Sequence, residues 1–247
     1  MIEDALKSAA RRLRGYKRFR GAIDSLSTFR NRCNLFGLSR RSMWKHMDVQ
    51  GFLMPNEAIA LYDLAKNIGS ASATLVEIGS WLGKSSIVMA SAISRQRDSR
   101  LYCIDPFDGS GDVRSAIRYR QLQEAMRMPL LDQFQANIRN AGLAEYVIPI
   151  AGASHDAIRT WNQPIHLLFI DGAHSYEAVK RDYTDWSPFV VDGGYICFHD
   201  TYLEPPKGVE DYHKGPGQVV RENVLNSEAW VDQSLVDSLY VARKRRL

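Results

Sequence analysis

The chain has 247 residues, 45% of them hydrophobic and 24% charged, with a formal net charge of +4; this is the balance of an ordinary globular protein and excludes disorder throughout. Cys33, Cys103 and Cys197 are too widely spaced for a zinc site or a disulfide framework, and no apolar run approaches the ~18 residues of a membrane span, so a cytoplasmic protein is expected. The charge is uneven: residues 1–45 hold 12 Lys and Arg against 3 Asp and Glu, whereas the rest hold 20 against 25.

In chain order, residues 1–55 read as a basic, helical extension in which Leu6, Leu13, Tyr16 and Phe19 pack on the body while arginines face water. Such an arm also suits an anionic membrane surface or an acidic partner. Nucleic acid is not expected, because neither aromatic interleaving nor a binding motif accompanies the charge. From residue 56 the spacing of Ala58, Leu61, Tyr62, Ala65 and Ile68 predicts a helix that ends at Gly69. Apolar strand-like runs then follow at 74–79, 100–105, 146–152, 165–171 and 193–200, and stretches of helical spacing separate them at 84–94, 131–142, 153–161 and 175–186. Continuous apolar strands alternating with helices predict βαβ units and a parallel sheet covered on both faces. A further helix at 218–227 and two short alternating runs around 230–231 and 239–241 suit an antiparallel hairpin on the sheet edge. The expected domain over 56–247 is thus α/β, doubly wound, with a mostly parallel seven-stranded sheet. Segments 106–130 and 201–217, the second carrying His213, read as lids or binding loops.

Four strands end in polar or glycine signals, where such sheets bind ligands. The stretch VEIGSWLGKSS places Glu77 at the end of the first strand and Gly79 and Gly83 before a helix. Gly79 permits a sharp turn that brings backbone N–H groups to a ligand. A phosphate-binding P-loop lacks its first glycine, and a dinucleotide turn would need G-x-G-x-x-G where this chain offers G-x-x-x-G. That pattern favours a nucleoside without pyrophosphate, and Asp105, ending the second strand, is placed to accept hydrogen bonds from a ribose diol. An Asx cap before Pro106 is the alternative for Asp105.

Together, VEIGSWLGKSS, CIDPF, GASHDAI and FIDGAHSYEAV resemble the successive motifs of class I S-adenosylmethionine-dependent methyltransferases, with their Rossmann-like fold, over roughly residues 56–200. The stretch GASHDAI is similar to one in catechol O-methyltransferases. FIDGAHSYEAV with FHDT resembles the macrocin-type and rhamnosyl O-methyltransferases. The resemblance implies that Glu77, Gly79 and the backbone near Trp81 contact the methionine part of S-adenosylmethionine, Asp105 the ribose, and Ser154 with His155 the adenine edge.

Asp171 and Asp200 end strands that would be neighbours, so their carboxylates can converge on a divalent metal, Mg²⁺ by the preference for hard oxygen ligands. In the resembling metal-dependent families an Asn or Asp follows the second carboxylate; here Thr201 stands at that third-ligand position. His174 occupies the place of the lysine regarded as the base in catechol methyltransferases, and an imidazole can take a hydroxyl proton near neutral pH. His199 reads as a buried strand histidine. The expected function is O-methylation of a sugar hydroxyl or a related small polyol, with Asp171 and His174 catalytic. Metal-independent methylation and a non-catalytic nucleoside-binding module are the alternatives, and a homodimer is compatible with the sequence.

Overall fold

The computed structural model describes residues 43, 46–70, 72–110, 121, 128–204 and 214–246, all within the second of two units of the chain, Ser42–Leu247. The helical pattern of Leu6, Leu13, Tyr16 and Phe19, much of the 106–130 loop, and His213 lie outside the described residues. Residues 46–54, the end of the expected extension, run as turns and irregular chain.

Helix α1 (Pro55–Lys66) opens on a proline, which fits the first turn because its missing N–H has no helical partner there. Its Ala58, Leu61, Tyr62 and Ala65 are buried, and the chain leaves the helix at Asn67, just short of the expected Gly69. Strand β1 (Thr74–Ile78), α2 (Lys84–Ile93), β2 (Arg100–Asp105), α3 (Leu130–Asn140), β3 (Val147–Ala151), the short α4 (Ser154–Ala157), β4 (Ile165–Ile170), α5 (Tyr176–Trp186) and β5 (Val190–Phe198) follow in order. Helix α6 (Gly215–Asn223) and strands β6 (Trp230–Val236) and β7 (Leu239–Lys244) complete the body. Ser175 caps α5 by accepting the Ala178 N–H, with Glu177 in the positive first turn.

The seven strands lie in the order β3-β2-β1-β4-β5-β7-β6. The first five are parallel, and β7 runs antiparallel to both β5 and β6. The expected hairpin is present, with its second strand inserted against β5. Because β1 pairs with β2 on one side and β4 on the other, the strand order reverses at β1 and a crevice opens at the carboxyl ends.

Alternate residues feed two cores. Leu75, Leu101, Leu167 and Phe169 pack with Leu61, Ile87 and Phe134 on one face. Val76, Ile104, Leu168, Ile196 and Phe198 pack with Val179, Trp186 and Val219 on the other. Burial of a Leu, Ile or Phe side chain favours folding by ~1.5–3 kcal/mol, so a sheet covered on both faces explains strands without polar alternation. Among the described residues no helix is long and apolar enough to cross a membrane.

Candidate active site

The carboxyl ends of β1, β2, β4 and β5 border one cavity of about 370 Å³. Its first wall is the turn between β1 and α2. Gly79 has φ 89°, and a Cβ there would stand 2.1 Å from the Asp171 carbonyl oxygen. Only a bare backbone passes so close to the end of β4. Trp81 also takes the left-handed region, at φ 43°, and its N–H donates to Asp105 Oδ2 at 2.9 Å. Phe52, 47% exposed, stacks on the Trp81 ring at 5.6 Å and 17°, so residues just before α1 also line the cavity.

The predicted cofactor residues divide into two groups. Gly79, Trp81, Asp105, Ser154 and His155 line the cavity. Asp105 Oδ1 accepts the Phe107 N–H at 2.6 Å, so backbone donors orient the carboxylate, whose remaining lone pairs can accept from a diol. Burial raises the Asp105 pKa, against the lowering effect of those N–H groups. Glu77 does not line the cavity: it is fully buried and accepts from Ser80 Oγ at 2.8 Å, from Ser85 and Ser86, and from Cys103 Sγ at 3.3 Å. Its carboxylate ties the glycine turn and the start of α2 to the sheet, while burial raises its pKa.

Ser154 Oγ donates to Asp182 Oδ1 at 2.5 Å, and Asp182 also lines the cavity. The latter is 6% exposed, and burial pushes its pKa up to about 6. The sequence carries a signal for this inward acid: Val179, Asp182 and Trp186 share one face of α5 by their three- and four-residue spacings.

At the other end of the cavity Asp171, His174 and Asp200 each present a ligand atom within 4.8 Å of the others. His174 Nε2 lies 3.2 Å from Asp200 Oδ2. The two carboxylates facing the cavity fit a divalent cation such as Mg²⁺ or Mn²⁺, with water or acceptor oxygens completing the shell and the imidazole beside it. Thr201 does not join them. Its hydroxyl is buried and donates to the Phe198 carbonyl at 3.2 Å, because the left-handed Asp200 backbone (φ 49°) turns the next side chain inward.

His199 is 3% exposed, as a strand histidine would be, yet it is bonded to two acids. Its Nδ1 is 3.0 Å from Asp171 Oδ1 and its Nε2 is 3.0 Å from Glu57 Oε2. Burial opposes its charge, but Asp171 and Glu57 outweigh burial and hold its pKa well above the usual histidine value. Asp171 is raised by burial and pulled down by His199. Glu57, on α1, also accepts Met54 N–H at 2.8 Å on Oε2, and Ser238 N–H at 2.8 Å and Ser238 Oγ at 2.7 Å on Oε1. Burial raises its pKa, but His199 leads the groups that hold it below the usual carboxylate range.

A sheet with this strand order, a glycine turn after β1 and an acid ending β2 is the frame of a nucleoside-binding α/β domain. Residues 76–201, just over half of the chain, match the family described as a methyltransferase domain, and the chain belongs to that family. It is 27% identical over 140 residues to an uncharacterised protein of Acanthamoeba polyphaga mimivirus, and the match spans 57% of each chain. Among solved structures, the O-methyltransferase NovP superposes with a TM-score of 0.58 at 20% identity, covering 77% of this chain and 80% of that one. The O-methyltransferase TomG from Streptomyces achromogenes, involved in tomaymycin synthesis and solved with S-adenosylmethionine, superposes with a TM-score of 0.58 at 16% identity, covering 93% and 98%. At these identities the two structures establish a shared fold.

Proposed function

We propose that this protein transfers the methyl group of S-adenosylmethionine to a hydroxyl oxygen of a sugar or related small polyol, with Mg²⁺ or Mn²⁺ held by Asp171 and Asp200. The observation that carries the reading is that Asp171, His174 and Asp200 converge in the same cavity as Asp105 and Ser154. Asp105 takes the ribose diol, Trp81 and Phe52 close the mouth, and Ser154 with His155 and Asp182 face the base. S-adenosylmethionine would supply a sulfonium whose C–S bond breaks as the acceptor oxygen attacks the methyl carbon. A divalent cation would supply the charge that lowers the acceptor hydroxyl pKa and fixes the diol. His174 takes the released proton and Asp171 orients the acceptor, so the oxygen becomes an ether and the cofactor leaves as the neutral thioether.

A second reading has its own observation. His199 lies 3.0 Å from Asp171 and 3.8 Å from Asp200, so a protein cation already offsets both acids, and metal-independent transfer by His174 follows. A methyl-transfer screen over glycosides and catechols, with and without chelator, separates the two: full activity after chelation sinks the metal reading. His174→Ala is expected to lower turnover about 10²–10⁴-fold with unchanged Mn²⁺ affinity, and a matching loss of Mn²⁺ affinity would make His174 a ligand instead. Asp105→Ala should weaken S-adenosylmethionine binding by ~1–3 kcal/mol, the cost of bonds to a charged group; unchanged affinity by calorimetry would remove the ribose assignment.

A further inference from the structure

The reaction end of the cavity rests on a residue far from it in sequence. Glu57 sits in the first turn of α1, 142 positions from His199, and is fully buried. Each of its oxygens has two partners, Met54 N–H and His199 Nε2 on one, Ser238 N–H and Oγ on the other. Two of these, the Met54 and Ser238 N–H groups, one on each oxygen, can only donate, the Ser238 hydroxyl donates as well, and Nε2 donates whenever it carries its proton. A carboxylate accepts at both oxygens, whereas an amide would turn an NH₂ group toward one pair of donors. The site therefore calls for an acid at this position.

We propose that Glu57 is a positioning residue for the reaction centre: acting through His199, it fixes the Asp171 carboxylate in the orientation in which Asp171 and Asp200 hold a divalent cation. Glu57 fixes the ring from Nε2, and the ring then presents Nδ1 to Asp171 Oδ1, leaving Oδ2 for the cavity. The opposite side is pinned by Thr201, whose N–H donates to the Ser238 carbonyl at 2.9 Å. Ser238 thus clamps both Glu57 and the segment that carries His199 and Asp200. A side chain that aims a ligand from behind is a common requirement of metal sites, and its loss weakens metal binding about 10–100-fold.

This inference rests on the metal reading of the site, so the experiment measures wild type first. Mn²⁺ binding is followed by electron paramagnetic resonance and S-adenosylmethionine binding by calorimetry, in the wild-type chain and in Glu57→Gln. The expected result is a Kd for Mn²⁺ raised about 10–100-fold with cofactor affinity within twofold of wild type. Wild type that binds Mn²⁺ while Glu57→Gln binds it equally well overturns the positioning role and leaves the metal reading standing. Wild type that binds no Mn²⁺ overturns the metal reading and this role with it. A parallel loss of Mn²⁺ and cofactor affinity makes Glu57 a structural residue only and also overturns the proposal. If Glu57→Gln does not fold, Ser238→Ala removes one donor from the clamp and should raise the Mn²⁺ Kd about 2–10-fold, the cost of one hydrogen bond; no change in that variant is equally fatal.

Discussion

A methyl group added at Gly79 would meet the Asp171 carbonyl oxygen at 2.1 Å and would hold an alanine at φ 89°. Either strain costs ~1–3 kcal/mol, and relief of the clash would push β1 away from β4 where the cavity begins. Gly79→Ala is therefore expected to lower stability by at least ~2 kcal/mol and to impair cofactor binding, read by denaturation and calorimetry; a folded variant with wild-type affinity would show that the turn has another route. Asp182 gives a pH prediction. Its pKa is raised from 3.8 to about 6, so the folded chain binds this proton more tightly than the unfolded chain does. Stability from this group is complete below about 3.8 and is lost as pH rises through about 6. The gap amounts to roughly 3 kcal/mol at ~1.4 kcal/mol per pH unit. Asp182→Asn stays neutral throughout, so its stability relative to wild type should rise between pH 4 and pH 7.5. Denaturant titrations at both values check this, and a constant difference would mean that folding leaves the Asp182 pKa unshifted.

At the scale of elements, the strand-end acids were legible because continuous apolar runs define where each parallel strand stops. Asp105, Asp171 and Asp200 each stand at or just beyond such a boundary. Glu57 was not legible. It sits at the third position of a helix, where an acid is ordinarily explained by the helix dipole, and its partners His199 and Ser238 come from the residue just past β5 and the β6–β7 turn, a juxtaposition that no local pattern encodes. The fate of Thr201 is not legible either: its placement as a third ligand rests on the resemblance to metal-dependent families, whereas its hydroxyl turns inward to the Phe198 carbonyl after the left-handed Asp200. Phe52 falls within the extension by sequence because the helical spacing begins at 56, yet its ring stacks on Trp81. Element ends also set stability. Ser175→Ala removes the α5 cap and should cost ~0.5–2 kcal/mol, lowering the melting temperature while leaving cofactor affinity within about twofold; a large affinity loss would tie the cap to the neighbouring His174.

At the scale of the molecule, the charge boundary in the sequence and the packing boundary differ slightly. Met43 is fully buried in the body core with Leu53 and Leu61, although it lies inside the basic stretch. A variant beginning at Ser42 should fold and bind S-adenosylmethionine as the full chain does. One beginning at residue 46 should lose the ~2–5 kcal/mol of a large-to-small core change, and equal melting temperatures for the two would show that Met43 is dispensable. The insertion of β7 between β5 and β6 bears on how the protein is made. Synthesis proceeds from the N-terminus, and domains organise as their segments emerge. A nascent chain that has reached α6 already carries Asp171, His174 and Asp200, yet the outer edge of β5 from Tyr195 to Phe198 waits for residues 240–243. Until then that apolar edge offers unpaired N–H and C=O groups to any other strand, and Glu57 lacks both donors of Ser238. Emergence of residues 238–243 thus closes the aggregation-prone edge and supplies the Ser238 donors to Glu57 together, so translation products that stop before residue 238 should accumulate as insoluble chains, read by fractionating soluble from pelleted product; soluble, folded truncation products would show that β7 is dispensable for closing the edge.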